Sequence, residues 1–152
     1  MTGAVVGVAG CLGNDSHLKY SGFESDELLP EIPDNYRREE KYENQLTGVY
    51  VRDDDEKSVA FDVHVFDAVG DAEDEMEKYG RDAVRITDVN VDEIDDGFAV
   101  VVDDFAKTVI RDSNALGVVF GSERDIIGFR PDLGLSFDKS QLMVNHWKGL
   151  DP

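Results

Sequence analysis

Cysteine and tryptophan each occur once in the 152 residues, and histidine three times. One thiol excludes an intrachain disulfide framework and a multi-cysteine zinc site. The histidines, His17, His64 and His146, stand far apart and form no His-x-x-x-His pair, so local spacing assigns no metal site. Positive charge is scarce too: 15 Lys and Arg face 34 Asp and Glu, a formal charge of −19. A surface this negative cannot displace the counterions of a nucleic acid or settle on anionic headgroups, which excludes DNA and RNA as partners.

Aspartate takes the place of the missing cations. It supplies 22 of the 34 acids, and Arg, at eight, outnumbers Lys, at seven. In dilute buffer so many uncompensated charges repel one another and oppose compaction. At 1 M salt the Debye length falls to about 3 Å and most of that repulsion is screened. The composition resembles that of extremely halophilic archaea, and the acid excess reads as solubility chemistry, not as a site. At 41% hydrophobic residues the chain is too apolar for general disorder, and its length fits one domain with a single core.

The first thirteen residues, MTGAVVGVAGCLG, are apolar and small, and Val8-Ala9-Gly10-Cys11 has the form of a lipobox. A prolipoprotein peptidase needs small residues before the cut and a cysteine whose thiol takes the lipid. Residues 1–11 are therefore expected to be the remnant of a lipoprotein signal, with Cys11 lipidated, although no positively charged n-region precedes the lipobox within them. A second reading makes 3–9 a buried first strand with Cys11 as a core thiol. A third takes Gly3, Gly7, Gly10 and Gly13 as a phosphate loop, but Gly-x-Gly-x-x-Gly is absent and no helical pattern follows. Residues 12–45 are polar, with two prolines and no sustained apolar period. They read either as an acidic tether or as a segment wrapped over the domain with Leu28, Leu29 and Ile32 as its handholds.

From residue 46 to 130 the pattern is that of an α+β domain. Val59, Phe61, Val63 and Val65 alternate with polar or small residues, as in a half-buried strand. Residues 46–52 form a preceding strand across the polar loop 53–57. Ala72, Met76 and Tyr79 lie at helical spacing, with Asp71 expected as N-cap and Gly80 as C-cap. Strands over 83–91, 98–103, 105–111 and 115–120 follow, separated by Asp, Asn and Gly turn residues, with an edge strand near 125–130 ended by Pro131. The expectation is an antiparallel sheet of about five or six strands with one helix on one face. Residues 131–152 show no regular apolar period and are expected to be an irregular tail folded back over the sheet.

The segments VHVFDAVGDAEDEMEKYG, DAVRITDVNVDEIDDGFAVVV and KTVIRDSNALGVVFG resemble the short lipoproteins of haloarchaea, a largely uncharacterised group likened to the PsbP-type α+β fold. The resemblance covers about 60 of the residues. It implies a surface-attached domain, and it supplies no catalytic residues.

Candidate chemistry is thin. Asp88-Val89-Asn90-Val91-Asp92 begins like a calcium loop, but Glu93 stands where glycine is needed and Ala99 where a bidentate Glu is needed. Ser58, Ser113, Ser122, Ser136 and Ser140 have no nucleophile elbow. Adjacent acids such as Asp103 and Asp104 point to opposite faces of a strand. No catalytic residue, cofactor or metal is assigned. The expected function is that of a monomeric surface lipoprotein, anchored to the outer face of the membrane through Cys11. It would bind a small molecule or an envelope protein in a crevice between helix and tail, with Met76, Tyr79 and Trp147 as ligand candidates. The alternatives are a hydrolase whose site is no linear motif, and a cytoplasmic structural protein.

Overall fold

Alternation of apolar side chains along the strands, and their register across the sheet, decide which helix covers which face. A computed structural model of the chain describes residues 18–39, 46–80, 85–89, 94–102, 105–125 and 128–150. In chain order the elements are β1 (Tyr36–Arg38), β2 (Gly48–Arg52), β3 (Lys57–Val65), α1 (Val69–Lys78), β4 (Arg85–Asp88), β5 (Asp96–Val102), β6 (Phe105–Asp112), β7 (Ala115–Asp125), β8 (Gly128–Pro131) and α2 (Leu133–Lys148). The strands form one antiparallel sheet in the order β1-β2-β3-β7-β6-β5-β4, and β8 pairs with the far end of β7. The protein is thus α+β with an antiparallel sheet. Among the described residues it has eight strands and two α-helices where the sequence suggested five or six strands and one helix.

The two helices lie on opposite faces. Val59, Phe61 and Val63 of β3, Ile110 of β6, and Ala115 and Val119 of β7 share a core with Met143, Val144 and Trp147 of α2. The side chains that alternate with them, Val109, Leu116 and Val118, pack instead on Met76 of α1. Strands β6 and β7 are apolar on both faces, as a strand sandwiched between two layers must be. The tail does fold back over the sheet, as α2 on the Val59 face, but the first helix is not beside it: α1 covers the other side.

The C-terminal segment is not an irregular tail, since residues 133–148 form a four-turn helix. Its buried face carries Ser136, Lys139 and Ser140 beside Leu135, Met143, Val144 and Trp147, so the polar residues interrupt the apolar stripe. The serine hydroxyls are satisfied: Ser136 Oγ donates to the Val119 carbonyl at 2.7 Å and shares a hydrogen bond with Thr108 Oγ1 at 2.7 Å, and Ser140 Oγ donates to the Phe137 carbonyl. Asp132 caps the helix by accepting from Leu135 N–H at 3.0 Å, and the Lys57 ammonium sits 2.6 Å from the same carboxylate. Burial opposes ionisation of Asp132, but Lys57 and the Leu135 N–H outweigh it and hold the carboxyl below its usual range. The first helix likewise starts earlier than expected, with Ala68 at the N-cap in place of Asp71 and Tyr79 at the C-cap in place of Gly80.

Residues 18–39 wrap the domain instead of serving as a tether. Leu28 and Leu29 are buried in the α2 core, with Ile32 packed against it. Asn114, fully buried in the β6–β7 turn, locks this wrap: its side-chain oxygen accepts from Tyr20 N–H at 3.1 Å and its amide donates to the Phe66 carbonyl at 2.9 Å. Within that turn the positive φ, 51°, belongs to Ser113, whose N–H donates to Asp95 at 2.8 Å.

Candidate functional site

Helix α1 packs on β6 and β7, and among the described residues no helix covers the β1-β2-β3 side of that face. On that side the register brings Arg37, Val51, Ser58 and Ser122 into one row across β1, β2, β3 and β7, and Val49, Ala60, Phe120 and Lys107 into the next. Strand β8 adds Phe129 directly opposite Arg124. The result is a groove of about 490 Å³ lined by Arg37, Glu39, Val49, Val51, Asp55, Ser58, Arg124 and Phe129. That volume lies within the roughly 300–1,000 Å³ range of small-molecule sites.

Each lining group has a defined role. Val49 and Val51 make an apolar floor. Ser58 Oγ shares one hydrogen bond with Ser122 Oγ at 2.7 Å, leaving one hydroxyl hydrogen of the pair to donate elsewhere. Arg37 is held by Glu39 at 3.3 Å, by Asp55 and by the Arg52 carbonyl at 3.2 Å. The Asp55 hydrogen bond above all raises its guanidinium pKa, and this cation is shared between two carboxylates. Arg124 differs. Its guanidinium lies 5.9 Å from the centroid of Phe129 and meets no carboxylate among the described residues. Phe129 itself is 54% exposed, more than any other large apolar side chain described.

Further along the same face, the Lys107 ammonium sits over the rings of Tyr79 and Phe120 at 5.7 and 5.6 Å, again with no carboxylate among the described residues. Tyr79 Oη is 3.5 Å from one Asp62 oxygen, and His64 Nε2 is 3.0 Å from the other. Burial and the Asp62 charge push the Tyr79 hydroxyl up to about 12. The hydrogen bond to Asp62 raises the His64 imidazole against the opposing effect of burial. Among the described residues no histidine lines the groove, and Ser58 is engaged with another serine. The arrangement can bind; it shows no nucleophile and base pair.

The ligand candidates from the sequence fall elsewhere. Met76 is buried beneath α1, and Tyr79 is half-buried beside it on the same face. Trp147 lies across the sheet, 1% exposed, donating its indole N–H to the Leu28 carbonyl at 2.8 Å and packed on Tyr20 at 5.5 Å. The helices share no border, so the expected crevice between helix and tail does not exist. A cavity of about 190 Å³ does adjoin Trp147, with Lys19, Tyr20, Ile94, Asp112, Val144 and Lys148. Its Tyr20 hydroxyl donates to Asp112 at 2.7 Å, and burial together with that carboxylate pushes the phenol far above its usual range. Cys11 lies outside the described residues, as do Asn90, Val91, Asp92 and Glu93 of the calcium-like stretch. Among the described residues no cluster of three or more potential metal ligands occurs, and no helix is long and apolar enough to cross a membrane.

No protein-family model matches the chain, and no curated protein matches it. Among solved structures it is similar to a GTP binding regulator from Thermotoga maritima, with a TM-score of 0.51 and 10% identity. The match covers 83% of this chain and 85% of the other. At that identity the likeness is one of fold.

Proposed function

We propose that the chain is a surface protein of a halophilic archaeon, held at the membrane by a lipid on Cys11, whose α+β domain binds a small molecule in the groove over β1, β2, β3, β7 and β8. The observation that carries the binding role is the groove itself. It is a concavity of about 490 Å³ floored by Val49 and Val51, with a 54% exposed phenylalanine at its rim. Such a feature marks interaction sites on soluble domains. The anchor rests on Val8-Ala9-Gly10-Cys11, and the halophilic setting on the formal charge of −19.

Two experiments test the two halves. Cys11→Ser in the full precursor is expected to release the protein from membranes at high salt. A lipid chain contributes about 0.8 kcal/mol per buried CH₂, and so acidic a domain has no attraction to anionic headgroups to replace it. Equal retention of the two proteins would refute the anchor. For binding, a mixture of small organic compounds is expected to shift the NMR signals of Val49, Val51, Ser58 and Phe129. Shifts confined to residues of α2 would refute the groove.

A further inference from the structure

We infer that the occupant of the groove is a small organic anion carrying a flat, apolar ring, an inference that rests on the groove being the binding site. The lining's two arginines and two carboxylates sum to zero, and it is their placement that selects the sign at the Phe129 end. Glu39 and Asp55 are both engaged by Arg37, and Arg124 remains uncompensated among the described residues. In a chain with 34 acids and 15 basic residues, a cation without a carboxylate partner is out of pattern. Lys107, on the same face, repeats it.

The geometry selects the rest. Arg124 and Phe129 are directly paired across β7 and β8, which orients a guanidinium and an exposed ring toward one space. A planar ligand stacks on Phe129 over the Val49 and Val51 floor, while its carboxylate or sulfonate takes charge-assisted hydrogen bonds from the Arg124 fork. The spare hydroxyl hydrogen of the Ser58 and Ser122 pair supplies a further donor in the adjoining row.

The test uses two dyes of like shape: the anion 8-anilinonaphthalene-1-sulfonate and neutral N-phenyl-1-naphthylamine. Both are titrated by fluorescence into the full chain, in KCl at which melting shows each variant folded. The wild type is expected to bind the anion about tenfold more tightly than the neutral dye. Arg124→Gln should abolish that preference without weakening the neutral dye, Arg124→Lys should retain part of it, and Phe129→Ala should weaken both dyes about fivefold. Equal affinity for the two dyes in the wild type, or a preference untouched by Arg124→Gln, would overturn the anion assignment and leave the groove standing. Indifference of both dyes to Phe129→Ala would overturn the groove as well.

Discussion

Gly121 lies in β7 directly under the first turn of α2, and replacing it with alanine tests how that helix is seated. A Cβ at this position would sit 2.5 Å from the Asp132 carbonyl oxygen, 2.7 Å from the Ser136 nitrogen and 3.1 Å from the Ser136 Cα. All three are backbone atoms, so no side-chain rotation relieves the clash. Restoring an ordinary separation of about 3.5 Å requires the start of α2 to retreat by roughly 1 Å. That retreat strains the Asp132 N–H bond to the Gly121 carbonyl at 3.1 Å and the Ser136 hydroxyl bonds to Val119 and Thr108, both at 2.7 Å. Overpacking costs about 1–3 kcal/mol, and each weakened buried hydrogen bond adds about 1 kcal/mol. Alanine's lower unfolded-state entropy returns up to about 1 kcal/mol. Gly121→Ala should therefore destabilise by roughly 2–4 kcal/mol, or about 4–16 °C in Tm for a chain of this size. Urea denaturation at fixed KCl, with an unchanged m-value, measures it. The control is Gly117→Ala, whose Cβ meets the Cε end of Met143. That is the mobile end of a flexible side chain, so the cost should be smaller. A Gly121→Ala loss below about 1 kcal/mol, outside the usual overpacking range, or one no larger than that of Gly117→Ala, would refute the rigid seating of α2.

Asp132→Asn keeps a cap acceptor for Leu135 N–H but removes the charge that faces Lys57. Because the folded carboxyl is held below its unfolded value near 3.9, its contribution is complete above that pH and lost as pH falls through the lowered folded value. The gap between wild type and Asp132→Asn should thus be about 1 kcal/mol at neutral pH and close in acid; a gap that widens below pH ~4 would contradict the Lys57 assignment. The acid excess makes a separate forecast: Tm should rise markedly from about 0.1 M to about 2 M KCl as carboxylate repulsion is screened. A melting temperature indifferent to KCl would count against the halophilic setting.

The groove was illegible in the sequence for a geometric reason. Its lining comes from five strands between Arg37 and Phe129, and only the register places Arg37, Val51, Ser58 and Ser122 in one row. The weak signal that did exist was Phe129, an apolar residue in a short strand flanked by Arg130 and Pro131, where an edge has nothing to bury against. The candidates that sequence reasoning favoured, Met76 and Trp147, are large apolar residues at helical positions, and large apolar residues are more often core than ligand contacts.

Strands could be read locally because a period of two is a property of consecutive residues: Val59, Phe61 and Val63 declare a buried face, and Asp, Asn and Gly clusters mark the turns. Composition likewise settled the sign of the net charge without any coordinates. What local pattern could not decide was which layer each face meets. The buried stripe of α2 includes Ser136, Lys139 and Ser140, which are tolerated because Thr108, Val119, Phe137 and Asp138 meet their polar atoms. Those partners come partly from strands that the sheet brings beneath the helix, at glycines 117 and 121 where it can approach closely. Helix α2, the two-sided cover of the sheet and the open groove beside α1 are therefore products of tertiary packing, since each depends on residues far apart in the chain meeting across one sheet.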